Sequence, residues 1–151
     1  MLKKLYYIRR MRDLIIEAYK QSNMFGNSLG MVLKSASKDG VQYQLVIDKN
    51  HMATPSNAHG GVIASLMDGT LGVAALAHAL ERNNVVSTIE FKVNFIAPVY
   101  NSDILDAKGH VVHSGNRIMV CEGTIHNHKG EIVAKGTGTF NAYPVEKSGL
   151  F

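Results

Sequence analysis

His59-Gly60-Gly61-Val62-Ile63-Ala64-Ser65-Leu66-Met67-Asp68-Gly69-Thr70-Leu71-Gly72 opens a long apolar stretch that continues to residue 80. Within it Val62, Leu66, Val73, Leu76 and Leu80 recur at helical spacing, and Ala64, Ala74, Ala75, Ala77 and Ala79 favour a helix and permit close packing. The stretch is apolar nearly all round, so the reading is one central helix over residues 62–80, buried on most of its surface. Two features of it need a reason. Gly60 and Gly61 stand at its mouth, where the absence of a side chain lets a ligand reach the unpaired N–H groups of the first turn. Those groups and the helix dipole favour negative charge, the requirement of an oxyanion site. Asp68, two turns further in, is a carboxylate on an apolar helix and must be paired, hydrogen-bonded or turned to a cleft.

Outward from the helix, Gly26 to Gly30 reads as a break after an N-terminal helix. Residues 31–35 and 41–47 read as a strand pair around Lys38-Asp39-Gly40. Beyond the helix the texture turns to strands at residues 85–96, 104–113, 117–127 and 131–143, separated by Pro98-Val99-Tyr100-Asn101, Ser114-Gly115-Asn116 and Asn127-His128-Lys129-Gly130. These gaps have the length of hairpin loops and imply an antiparallel meander. The fold class is therefore α+β: a curved antiparallel sheet wrapped around one long central helix, plus an N-terminal helix. The expected organisation is an N-terminal helical segment over 1–28, the main domain over 29–143 and a C-terminal tail over 144–151.

Size and composition narrow the function. The 151 residues suit one domain that builds its core without disulfides or metals. Cys121 is the single cysteine, which excludes a disulfide framework and a cysteine–zinc cluster and favours a reducing, cytoplasmic setting. The net charge of +4 is modest and the basic residues after Arg12 are scattered, so no nucleic-acid partner is expected. No run of roughly 20 consecutive apolar residues argues for stable membrane insertion. Near the N-terminus Leu5, Ile8, Ile15, Ile16 and Tyr19 fall at helical spacing beside Lys3, Lys4, Arg9, Arg10 and Arg12, which favours a helix packed on the domain or on a partner subunit over the alternative of a helix lying on a membrane surface. His126 and His128, with His110 and His113, lack a carboxylate or thiol at ligand spacing, so no metal and no cofactor are expected.

The spacing of the two features constrains the mechanism. Gly61 and Asp68 are seven residues apart, roughly 10 Å along a helix axis. If both act on one carbonyl, Gly60 and Gly61 of one subunit face Asp68 of another across a two-fold axis.

His-Gly-Gly with Asp68 at this spacing, followed by Gly72-Val73-Ala74-Ala75, resembles the motif of PaaI-like hotdog-fold acyl-CoA thioesterases. The segments Thr88 to Pro98, Gly115, and Gly130 through Ala134 to Phe140 are similar to the same family's later strands. The resemblance covers residues 29–143. It implies a hotdog fold and hydrolysis of an acyl-CoA thioester to free acid and CoA by a homodimer that forms the active site, with a homotetramer beyond it. It further implies that Gly60, with Gly61, polarises the carbonyl through backbone N–H groups, that Asp68 acts as base or nucleophile, and that Thr88 holds Asp68 or the water. His59 would shape the helix entrance, and Asn57, Ser56, Met67 and Gly115 would contact substrate.

The chain also departs from that pattern. Ala53 stands where many members carry Asn or Gln, which leaves Asn57 or Ser56 to supply the polar contact and keeps open a non-catalytic acyl-CoA binder or sensor. A hotdog dehydratase would want a histidine paired with a carboxylate in its own motif, and none is found.

Overall fold

The computed structural model describes residues 2–149, with side chains described for Arg10 and from Arg12 onward. The side chains of Leu5 and Ile8 and the residues Leu150 and Phe151 lie outside that description. The elements are α1 (Leu2–Ser22), α2 (Met24–Ser28), β1 (Val32–Ser37), β2 (Gly40–Val46), α3 (Gly60–Ala79), β3 (Asn84–Phe95), β4 (Ile104–Ser114), β5 (Ile118–His126) and β6 (Ile132–Pro144). The helix–strand–helix–strand order expected above is the order observed. What was expected as a C-terminal tail begins as the last residue of β6 and a turn, Val145–Lys147.

All six strands form one sheet in the order β1-β2-β4-β5-β6-β3, with every neighbouring pair antiparallel. The meander expectation therefore holds only for β4-β5-β6. The strand β3 is not beside β4 but at the far edge, paired with β6 over Asn84 to Phe95. The link between β3 and β4 must cross two strand positions more than a hairpin, about 14 Å in all, and its eight residues reach about 26 Å when extended. It is a crossover held down along its length: Ile96 N–H donates to the Val133 carbonyl and Ala58 N–H donates to that of Val99, which is itself buried.

Three glycines explain how α3 lies so deep in the sheet. Gly109, Gly123 and Gly136 stand opposite one another on β4, β5 and β6 and form a trough across the strands. A Cβ at Gly136 would come within 2.7 Å of Met67 Cγ, one at Gly123 within 2.9 Å of Met67 Sδ and one at Gly109 within 3.0 Å of Thr70 Cγ2. Met67, Thr70 and Leu71 are fully buried there. The segment Gly60–Arg82 is long and apolar enough to cross a membrane, but 61% of its most apolar window is buried inside the molecule.

The helix α1 packs on the domain through Ile15 and Ile16, both buried, and Arg12 Nη1 meets Glu81 Oε1 at 3.4 Å just past the end of α3.

Candidate active site

The mouth of α3 is built by its own cap. His59 has extended backbone angles and its Nδ1 accepts a hydrogen bond from Gly61 N–H at 2.8 Å, satisfying one of the orphan donors of the first turn. Since Nδ1 accepts, the ring proton sits on Nε2. A Cβ at Gly61 would lie 2.8 Å from the same Nδ1, so glycine is what lets the imidazole fold back. The loop that delivers His59 is pinned on both sides. His59 N–H donates to the His51 carbonyl at 2.7 Å, and buried His51 is held by Asp48 N–H on its Nδ1 at 3.0 Å.

This cap divides the two glycines. Gly61 N–H is occupied by His59, whereas Gly60 N–H has no hydrogen-bond partner among the described residues. Gly60 is also sterically open: a Cβ there would meet only the Phe95 ring, at 3.5 Å, an ordinary contact. The oxyanion expectation thus narrows from the pair to Gly60, because a donor already engaged is not available to a carbonyl.

Asp68 sits half-buried in the middle of α3, where Thr88 Oγ1 on β3 donates to its Oδ1 at 3.3 Å. The strand is bulged between Thr88 and Glu90. The extra residue, Ile89, changes which face the strand presents, so Thr88 points inward to α3 while Glu90 turns outward to Thr139. Burial pushes the Asp68 carboxyl above its ordinary value, and the Thr88 hydrogen bond pulls it part of the way back. Beside it opens a cleft of about 320 Å³ between α3 and β3, walled by Val73, Leu76, Val86 and Phe140. A carboxylate at one end of an apolar groove can activate water beside an acyl group held in the groove.

The remaining expected residues separate. Ser56 and Asn57 lie exposed on the turn before α3, closed by Ala53 N–H and Thr54 N–H on the Asn57 carbonyl. Ala53 is on the same turn, with its side chain exposed. Met67 does not reach the cleft, because it fills the glycine trough on the sheet side of α3. Gly115 caps the β4–β5 turn, bonding Ile118 through its N–H, and its carbonyl accepts from Arg82 Nη2 at 3.1 Å, beyond the C-terminal end of α3. Its neighbourhood is therefore the opposite end of the helix from Gly60.

One residue beside the candidate carboxylate was not read from the sequence as part of the site. Tyr19, on α1, lines the cleft beside Asp68 and also a smaller one on the other side of that carboxylate. Its only sequence signal was its place in the apolar stripe of α1, which reads as packing. Among the described residues no three histidine, cysteine, aspartate or glutamate side chains converge as a metal site would need.

The family profile described as Thioesterase superfamily matches residues 56–134, just over half of the chain and the whole of α3. The chain belongs to the thioesterase superfamily. Membership makes it a thioester hydrolase. Among relatives of this superfamily, the medium/long-chain acyl-CoA thioesterase YigI of Escherichia coli is 26% identical over 144 residues, spanning 84% of this chain and 90% of that protein. A Shewanella oneidensis protein related to the thioesterase superfamily superposes with a TM-score of 0.80 at 26% identity, over 89% of this chain and 97% of its own. The E. coli PaaI protein shares the fold, with a TM-score of 0.78 at 19% identity, over 85% of this chain and 90% of its own.

Proposed function

We propose that this thioester hydrolase acts on acyl-CoA, at a site where Asp68 of one subunit and Gly60 of a partner subunit meet one thioester carbonyl. The observation that carries the reading is Asp68 itself, a half-buried carboxylate oriented by Thr88 at the end of an apolar groove. The name of the E. coli relative YigI supports an acyl-CoA ester as the substrate class.

The spacing along the helix supports a division across subunits. Gly60 and Asp68 are eight residues apart on one helix, about 12 Å along its axis. A carbonyl oxygen and the water that attacks its carbon lie only about 3 Å from each other, so one helix does not serve both. The strand β3 offers the means of pairing. It is a long edge strand whose Ile89, Phe91 and Phe95 are 54%, 39% and 57% exposed, an apolar edge that invites a second copy. Phe95 stands against Gly60, and Thr88 of the same strand holds Asp68, so an interface along β3 brings both halves of the site to it.

In the reaction Asp68 takes a proton from water as the water oxygen attacks the thioester carbonyl carbon. Gly60 N–H of the partner subunit, at the positive end of its helix, stabilises the negative oxygen. The tetrahedral intermediate collapses with cleavage of the carbon–sulfur bond, and the departing thiolate recovers the proton from Asp68. Released products are the carboxylic acid and CoA. The lone thiol, Cys121, takes no part: it is buried in the sheet and burial pushes it up to about 12. An unpaired thiol of this kind suits the cytoplasm.

A thiol-release screen over acyl-CoA esters of graded chain length tests the reading, with Asp68→Ala as control. Turnover of at least one ester, lost by about 10² to 10⁴ in the variant, is expected. CoA binding with no turnover of any ester would contradict it and favour a sensor, the alternative that Ala53 keeps open.

A further inference from the structure

We propose that Tyr19 is a positioning residue for Asp68: its hydroxyl, polarised by Asn23, donates into the cleft and holds the water that Asp68 activates. This rests on the reading of Asp68 as the group that removes the proton.

Asn23 caps α2, and its Oδ1 accepts from Gly26 N–H at 3.0 Å. A side chain at Gly26 would run into the Asn23 amide, so glycine is what allows this cap. With Oδ1 committed, the amide has only its NH₂ end left, and Nδ2 donates to Tyr19 Oη at 3.3 Å. The tyrosine hydroxyl is thereby the acceptor in that bond, and its own proton is free for another partner.

The cleft side supplies the partner. Tyr19 and Asp68 line the same two openings without a direct hydrogen bond between them, an arrangement suited to a bridging water. On the other flank Asp68 is already held by Thr88. A water between Tyr19 and Asp68 would accept from the phenol and donate to the carboxylate, which leaves a lone pair for the acyl carbon. Burial and the nearby charge of Asp68 both raise the Tyr19 hydroxyl from its usual value, so it stays a donor over the working pH range. Among the described residues the titratable groups around Tyr19 and Asp68 are Tyr43 of β2, whose buried hydroxyl is raised by burial and by Tyr19, and Tyr143 of β6, and no basic side chain or second carboxylate lines either opening.

Two variants and their combination test this in the full-length protein, with chromophoric thiol release as the assay. Tyr19→Phe keeps the ring and deletes the donor. It is expected to lower kcat about tenfold, leave KM within about twofold and move the acid limb of kcat to higher pH, since the carboxylate loses a water-mediated donor. Asn23→Asp keeps an acceptor for Gly26 N–H but turns the second position from donor to acceptor, which draws the tyrosine proton away from the cleft. It is expected to act in the same direction as Tyr19→Phe and to add nothing in the Tyr19→Phe background. Circular dichroism and Tm of each variant report whether folding is intact. An unchanged kcat and acid limb in folded Tyr19→Phe overturns the proposal, as does an Asn23→Asp effect that persists undiminished in the Tyr19→Phe background. Should Asp68→Ala keep full activity, the site reading itself falls. A dead Asp68→Ala beside a normal Tyr19→Phe removes the tyrosine alone.

Discussion

Met67 and Asp68 are adjacent in sequence and live in different environments. Met67 is wholly buried in a trough made by glycines of β5 and β6, where it locks α3 against the sheet. Asp68, one residue on and about 100° around the helix, faces a cleft and is touched by Thr88 and overlooked by Tyr19. The flank of α3 against the glycine trough is sealed and carries stability, whereas the flank that Asp68 presents is open and, in the proposed mechanism, carries the chemistry. Rigidity on the first side is what holds the groups of the second in place.

Substitutions on the two flanks are therefore expected to break different properties. The largest effect is expected from Asp68→Asn, which keeps the shape and removes the base: kcat should fall by about 10² to 10⁴ in thiol release. Stability should move the other way. Because burial raises the folded Asp68 above its ordinary value, the native state disfavours its charged form at neutral pH, and that penalty fades as pH falls through the folded value. Asp68→Asn should therefore have a higher Tm than the wild type near pH 7, with the gap closing in acid. A lower Tm at both pH values would show the carboxylate to be structural.

Gly60→Pro is next in size. Gly60 is the first residue of α3, a position where proline is accepted, and His59 before it already has the extended backbone that proline requires. The substitution deletes one N–H and little else. A fall in kcat of about 10² to 10³ with an unchanged circular dichroism spectrum is expected. Thr88→Ala should be milder, roughly three- to tenfold in kcat, with the acid limb displaced to higher pH because the carboxylate loses a donor. On the sealed side, Gly136→Ala forces a methyl against Met67 and against the backbone carbonyl of Lys92, 3.0 Å away. It should destabilise by roughly 1–3 kcal/mol in urea unfolding while leaving kcat of the folded fraction within about twofold.

How much of this was legible beforehand follows the same division. Local patterns gave α3, the strands, and the pairing of helix-mouth glycines with Asp68, because periodicity and cap chemistry are properties of short windows. The place of β3 was not legible: its partner residues on β6 lie 39 to 60 positions further on, from Phe95 with Ala134 to Asn84 with Pro144, and a crossover and a hairpin of similar length look alike in sequence. Met67 was expected at the substrate because a helix apolar all round does not reveal which face meets the sheet. The glycines that decide it, Gly109, Gly123 and Gly136, align only once the strands pair. Gly60 and Gly61 read as equivalents until the His59 ring is seen to occupy one of them. Tyr19 was hidden in a packing stripe, since only the docking of α1 brings it to Asp68.

The central claim is that each site is shared, with Asp68 from one subunit and Gly60 from its partner. Co-expression of Asp68→Ala and Gly60→Pro chains bearing different tags, with isolation of the doubly tagged dimer, tests it most directly. In a shared site one of the two sites in that heterodimer unites both lesions and the other unites both intact groups. The account predicts that two nearly inactive chains together recover about half of the wild-type kcat per dimer. Activity no higher than that of the parent variants would contradict it and return the whole site to one subunit.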